Sequence, residues 1–250
     1  MFLTDRRQLE LRPLEQDSEY RSGADRPSSP VGLGGLGELG RLLAHEREAA
    51  IGTVASLARA IEARDRHTGA HIERVREYSV AVARQLALSE DDIWRVGVGA
   101  VLHDLGKIGV PDSVLNKRGA LTRAETDVMR RHPLIGAGLL EADPALAIAL
   151  PAVVHHHERW DGAGYPYGLS GDRIPLDGRI VAVADAYDAM TSDRPYRTRF
   201  SVSHATKEIE TGMGSQFDPE VARAFLALPA IDRGVAGRDR SFTPSATAAA

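Results

Sequence analysis

The sequence predicts an all-α protein, a helical bundle of about seven or more helices with disordered ends. Apolar residues recur three or four positions apart through the middle of the chain, the spacing of one helical face. Strand-like alternation is almost absent, and paired start signals mark several helix N-termini.

Taken in order, residues 1–36 are polar and then rich in Gly, Ser and Pro ("RSGADRPSSPVGLGGLG"), the composition of a disordered arm and linker. A helix is expected over 37–64, with Leu39, Leu42, Leu43, Ile51, Val54, Leu57, Ala58 and Ile61 at helical spacing. That spacing is compatible with a homodimer stalk and with packing on its own domain. A second helix is expected from about Thr68 to Leu88, and Ser89 with Asp92 caps a third. Thr122 and Glu125 form a capping box. Asp143-Pro144 and Asp218-Pro219 each set a capping residue before a proline at the first helical position. "IPLDGRIVAVADAYDAM" has a β-branched start, yet Leu176, Ile180, Val183, Ala184 and Tyr187 fall on one helical face. Residues 232–250 read as a loose tail.

The chain has 250 residues, 43% of them hydrophobic, enough for one sizeable core. A net charge of −4 gives no global basic field, which argues against a nucleic-acid polymer or a membrane surface as partner. There is no cysteine, so disulfides and thiolate metal sites are excluded, and any metal must be held by His, Asp and Glu. No apolar run is long enough to span a membrane, and the start lacks the apolar core of a signal peptide, so a cytoplasmic protein is expected.

Five stretches could carry chemistry. "VLHDLGKIGVPD" places His103 and Asp104 after an apolar run, with Lys107 one helical turn on. "RDRHTGAHIERV" spaces His67 and His71 at i and i+4. "RRHPLIGAGLL" puts His132 before a proline at a helix start. "VVHHHERWDG" offers three imidazoles after a buried approach. "VAVADAYDAMTSDRPYR" sets Asp185 among alanines and valines, where a carboxylate is costly to bury without a partner. His71, His103, Asp104, His132, two of His155–His157 and Asp185 are too many ligands for one ion. Two divalent ions bridged by a carboxylate would use them, with Asp104 the candidate bridge. Such a pair suits phosphoryl chemistry, since it activates water and clamps phosphate oxygens. Lys107 would add positive charge where negative charge develops.

These motifs, in this order, resemble the HD-GYP domain, a subgroup of the HD-superfamily phosphohydrolases. The resemblance covers about residues 50–228 and rests on "HDLGKIGVPD", "HHERWDGAGYP" and "ADAYDAMTSDRPYR". It implies a helical bundle holding a two- or three-metal centre. It also implies hydrolysis of cyclic di-GMP to linear pGpG, and in some members on to GMP. The family's ligands fall on His71, His103, Asp104, His132, His156, His157 and Asp185, and its catalytic lysine on Lys107. The GYP loop falls on Gly164, Tyr165 and Pro166, with Tyr165 or Trp160 as an aromatic face for guanine. Phosphate-holding residues fall on Arg194 and Arg197, whose forked donors suit phosphate. Partners implied are diguanylate cyclases or other signalling proteins, through the GYP loop.

The chain departs from the family in two ways. Trinuclear members have a glutamate four residues before the first ligand histidine; here it is His67. A neutral imidazole cannot bridge as a carboxylate does, so two ions are expected, with His67 lining the site. Iron and manganese both fit, and zinc or nickel could occupy the same donors. Many relatives also carry a sensor domain ahead of the catalytic part, for which residues 1–45 are too few. Two other readings stay open: an HD-superfamily phosphohydrolase acting on another nucleotide or cyclic dinucleotide, and a module that binds cyclic di-GMP without turnover.

Overall fold

The structure is a computed structural model and describes residues 49, 51–64, 71–192 and 199–229. His67, Arg194 and Arg197, the arm over 1–36 and the tail over 232–250 lie outside the described residues.

Every regular element among the described residues is a helix. Helix α1 covers residues 51–64, followed by α2 (His71–Gln85) and α3 (Glu90–Leu102). A 3₁₀ turn (Leu105–Gly109) leads into the short α4 (Asp112–Leu115), then α5 (Arg123–Met129) and α6 (His132–Leu140). Next come α7 (Pro144–Ala147), α8 (Leu150–His155), α9 (Leu176–Thr191), α10 (Val202–Gly212) and α11 (Pro219–Leu226). No helix among the described residues is long and apolar enough to cross a membrane.

The start signals act as their chemistry dictates. Ser89 accepts the Asp92 amide at 3.2 Å, and Thr122 and Glu125 close a reciprocal capping box. Asp143 accepts from the Ala145 amide at 2.8 Å and Asp218 from the Glu220 amide at 2.7 Å.

Helix α9 is the axis of the bundle: α2, α3, α8, α10 and α11 all pack on it. Ile180, Val183, Ala184 and Tyr187 of its expected apolar face are buried and Leu176 is partly buried, but Val181, Asp177 and Asp188 are buried too, because several helices pack on it. Asp177 is neutralised by a two-pronged ion pair from Arg95, at 2.8 and 3.1 Å. Around α9, one core cluster joins α2, α3, α10 and α11, where Tyr78, Tyr187 and Phe225 meet edge to face with centroids 4.9–5.8 Å apart. A second cluster joins Ala58 and Ile61 of α1 to Ile72, Leu102, Leu105 and Val153.

These clusters position the site. His71 directly precedes buried Ile72, His103 follows buried Leu102, and His156 lies just past Val153 and Val154. Asp185 follows buried Ala184 of the first cluster. Each polar residue is thus anchored by an apolar neighbour whose burial fixes the backbone that carries it.

Candidate metal centre

Asp104 stands at the end of α3, where the chain tightens into the 3₁₀ turn, and both of its oxygens are engaged. Oδ1 lies 3.2 Å from His132 Nε2 and 3.9 Å from His156 Nε2. Oδ2 lies 3.3 Å from His103 Nε2 and 2.7 Å from Lys107 Nζ. Two donor groups meet at this carboxylate: Asp104 with His132, His156 and His157, and Asp104 with His71 and His103. The donor atoms of each group lie within 4.8 Å of one another. Asp185 extends the second group, its Oδ1 being 3.5 Å from His71 Nε2.

The chemistry of the donors suits a cation. His103, His132 and His156 direct Nδ1 at the carbonyls of Ala100, Met129 and Val153, at 2.7, 2.8 and 3.0 Å. A carbonyl only accepts, so Nδ1 carries a proton and, in the neutral ring, Nε2 keeps a lone pair facing inward. His132 Nε2 and His156 Nε2 then face each other at 3.3 Å, an arrangement that repels unless a cation or a proton lies between. His103 Nε2 is fully buried with no hydrogen-bond partner.

The electrostatics agree. Burial pushes the Asp104 carboxyl up, but Lys107 and His103 outweigh it and hold it well below the usual carboxylate range. Burial pushes the His103 imidazole down, yet the charges of Asp104 and Asp185 prevail and raise it to about 9. Without metal, therefore, a proton on His103 answers the two carboxylates, and a bound ion must displace it. Burial, reinforced by neighbouring imidazoles, drives His156 far down and His157 to about 4, so both imidazoles are neutral near pH 7.

His155 diverges from its neighbours as helical geometry requires, since adjacent residues point about 100° apart. Its Nδ1 is 4.0 Å from Glu158 Oε1, and its ring lies 5.9 Å from that of Tyr167.

Beyond His157 the chain forms the Gly164-Tyr165-Pro166 loop, with a cis bond between Tyr165 and Pro166. Gly164 is required by close approach: a Cβ there would stand 2.4 Å from Arg159 N and 2.6 Å from His157 O. The Tyr165 amide donates to His157 O at 3.1 Å, and its ring stacks on the His157 imidazole with centroids 4.8 Å apart. The Arg130 guanidinium lies over the same ring, 5.1 Å from its centroid. Burial and the Asp104 charge push the Tyr165 phenol up, so it remains a neutral donor. Trp160 packs beneath Arg179 at 5.6 Å. Both aromatic rings expected to receive guanine are thus already engaged by the protein.

The structure adds residues that the sequence reading passed over. Asp188, one helical turn after Asp185, is 1% exposed and accepts from His71 Nδ1 at 2.7 Å. Arg74 forks onto Asp188 through Nε and Nη2, and Ser192 donates to the same carboxylate at 3.3 Å. Burial raises the Asp188 carboxyl, but the hydrogen bonds from His71 and Arg74 prevail and keep it ionised. It fixes the His71 ring with Nε2 toward Asp185, the role of a carboxylate behind a metal-ligating imidazole. Buried Glu158 accepts the Tyr167 and Leu169 amides at 2.8 and 3.1 Å and ties down the outer half of the loop. The signal for both was present: "DAYDAM" repeats an acid at helical spacing, and Glu158 sits within the histidine motif.

The family model described as the HD domain matches residues 55–221. The chain is 45% identical over 193 residues to the cyclic di-GMP phosphodiesterase response regulator RpfG of Xanthomonas campestris pv. campestris, covering 76% of this chain and 50% of that protein. It is 46% identical over 197 residues to a cyclic di-GMP phosphodiesterase of Vibrio cholerae, covering 73% of this chain and 39% of that protein. The chain therefore spans half or less of the length of these relatives. A crystal structure of a cyclic GMP-AMP specific phosphodiesterase of V. cholerae shares the fold, with a TM-score of 0.55 and 19% identity over 72% of this chain and 50% of that one. With the HD pair at His103-Asp104 and the GYP loop laid over His157, the chain belongs to the HD domain family, in its HD-GYP subgroup.

Proposed function

We propose that this domain is a metal-dependent phosphodiesterase that hydrolyses cyclic di-GMP to linear pGpG, using two divalent ions of the iron or manganese type. The observation that carries the reading is the sharing of Asp104 between two donor groups, with Lys107 on one of its oxygens. When bound, the ions supply an activated water and a clamp on the phosphoryl oxygens.

The protein's own groups do the rest. His132, His156 and His157 with Asp104 would hold one ion, and His71, His103 and Asp185 with Asp104 would hold the other. Asp188 and the three main-chain carbonyls keep the imidazole lone pairs aimed inward. Lys107 is held against Asp104 and adds positive charge as the phosphoryl oxygens gain negative charge. Water adds across one phosphodiester bond, and the 3′-oxygen leaves as a hydroxyl. Arg194 and Arg197, shortly after the helix that carries Asp185, hold phosphate through forked donors. The loop of Gly164, Tyr165 and Pro166 shapes access, and its outer Tyr167, 62% exposed, is the group that a signalling partner such as a diguanylate cyclase would meet.

An anaerobic hydrolysis assay with Mn²⁺ or Fe²⁺ tests this, comparing cyclic di-GMP, cyclic GMP-AMP and cyclic di-AMP. The expected result is preferential loss of cyclic di-GMP, with pGpG appearing first, arrest by a chelator and recovery when metal returns. Faster cleavage of another cyclic dinucleotide would reassign the substrate. Tight binding without cleavage would mark a non-catalytic module.

A further inference from the structure

The turn that carries Lys107 is short and exposed on its outer side. It is a 3₁₀ turn, Leu105–Gly109, with Ile108 42% exposed. Such turns have poor internal hydrogen bonding and hold their shape weakly. Within this one, the Lys107 amide donates to Asp104 O at 2.9 Å and the Val110 amide to Lys107 O at 3.0 Å. These bonds use Asp104 O and Lys107 O and leave the carbonyls of Ile108 and Val110 to other donors.

Arg64, the last described residue of α1, provides them. Nη1 donates to Ile108 O at 3.3 Å, Nη2 to Val110 O at 2.7 Å, and Nε to Asp112 Oδ1 at 2.7 Å. In return, Asn116 Nδ2 donates to Arg64 O at 3.2 Å. One planar guanidinium therefore grips three acceptors spread over residues 108–112, a task its fixed fork suits and a single ammonium does not. The same last turn of α1 holds α2. Buried Glu62 accepts the Ile72 amide at 3.1 Å, one residue after His71. That amide belongs to the first turn of α2, where no intrahelical acceptor exists. Ile61, between these polar residues and the core, packs with Ile72 and Leu105.

We propose that Arg64 is a positioning residue for Lys107: through the Ile108 and Val110 carbonyls it fixes the turn that holds the ammonium on Asp104. The last turn of α1 thereby couples any displacement of that helix to the catalytic turn. Arg64 touches neither substrate nor metal. The role in turnover rests on the phosphodiesterase reading; the positioning itself does not.

Two measurements on the full chain test it. The first is hydrogen exchange of the amides from Lys107 to Asp112, with and without Mn²⁺. In Arg64→Ala, and more weakly in Asp112→Ala, exchange of the Lys107 and Val110 amides is expected to quicken while the α9 amides keep wild-type protection. Unchanged exchange in the turn, or equal quickening throughout the domain, would overturn the proposal whether or not the protein cleaves cyclic di-GMP. The second is a double-mutant cycle on turnover. Arg64→Ala should lower kcat about 10- to 100-fold with KM unchanged, as loss of a ligand-orienting partner does. In a Lys107→Ala background it should cost less than about 2-fold more, a loss within the error of such cycles and far short of additivity. A full further loss in that background would show that Arg64 acts by another route and contradict the proposal. If wild type cleaves no cyclic dinucleotide, the phosphodiesterase reading fails and the exchange result still decides the positioning.

Discussion

Asp104→Ala protein is expected to lose cyclic di-GMP hydrolysis by more than the ~10²- to 10³-fold that removing one electrostatic stabiliser costs. Its metal content should fall as well. The reason is geometric. Among the described residues, Asp104 is the one present in both donor groups, and its two oxygens face His132 and His156 on one side and His103 and Lys107 on the other. Without the carboxylate, the imidazoles form two separate clusters with nothing to bridge them. Lys107 loses its Asp104 contact, and His103 loses the larger of the two charges that hold its imidazole up against burial. Steady-state kinetics together with elemental analysis of the same preparation check this. A variant cleaving at near wild-type rate would remove Asp104 from the centre.

Gly106→Ala should be nearly as damaging, although Gly106 bears no functional group. A Cβ at this position would stand 1.9 Å from His132 O and 2.5 Å from Gly136 N. Both are main-chain atoms of α6, so no side-chain rotation relieves the clash. Either α6 moves away, taking His132 with it, or the turn between Asp104 and Lys107 buckles. Overpacking of this kind costs about 1–3 kcal/mol and sometimes more. For a domain of this size that corresponds to a fall in Tm of roughly 2–4 °C per kcal/mol. The expected signature is a lowered Tm together with weakened metal binding, read by thermal unfolding with and without Mn²⁺. A variant with wild-type Tm and metal affinity would mean that α6 and the turn are not packed as described.

The sequence exposed what is local. Caps at Ser89, Thr122, Asp143 and Asp218 need only residues two or three positions away, and each forms as read. His103 and Asp104 were legible because an apolar run ends on them. Long-range partners were not. His71 and Asp188 are 117 positions apart, and Arg64 and Val110 are 46 apart. Helical periodicity reports only neighbours within about a turn, so nothing local distinguishes Arg64 from any arginine at a helix end. The case of Asp185 is instructive. A carboxylate in an apolar helix needs a partner, and the buried acids of α9 are Asp177, paired with Arg95, and Asp188, whose partners are His71, Arg74 and Ser192. Asp185 is partly exposed, with its side chain 22% accessible, and faces His71 Nε2 at 3.5 Å. The burial of Val181, Asp177 and Asp188 beyond one face of α9 escaped a one-face reading because it follows from how many helices surround it.

A centre of two ions bridged at Asp104 is tested most directly by the number of ions the protein holds. Elemental analysis of anaerobically purified protein, saturated with metal and then freed of loosely held ions, should give two per chain. One ion per chain would leave Asp104 without a bridging role. Three tightly held ions would contradict the account, because the third would require a ligand in place of the glutamate that His67 replaces.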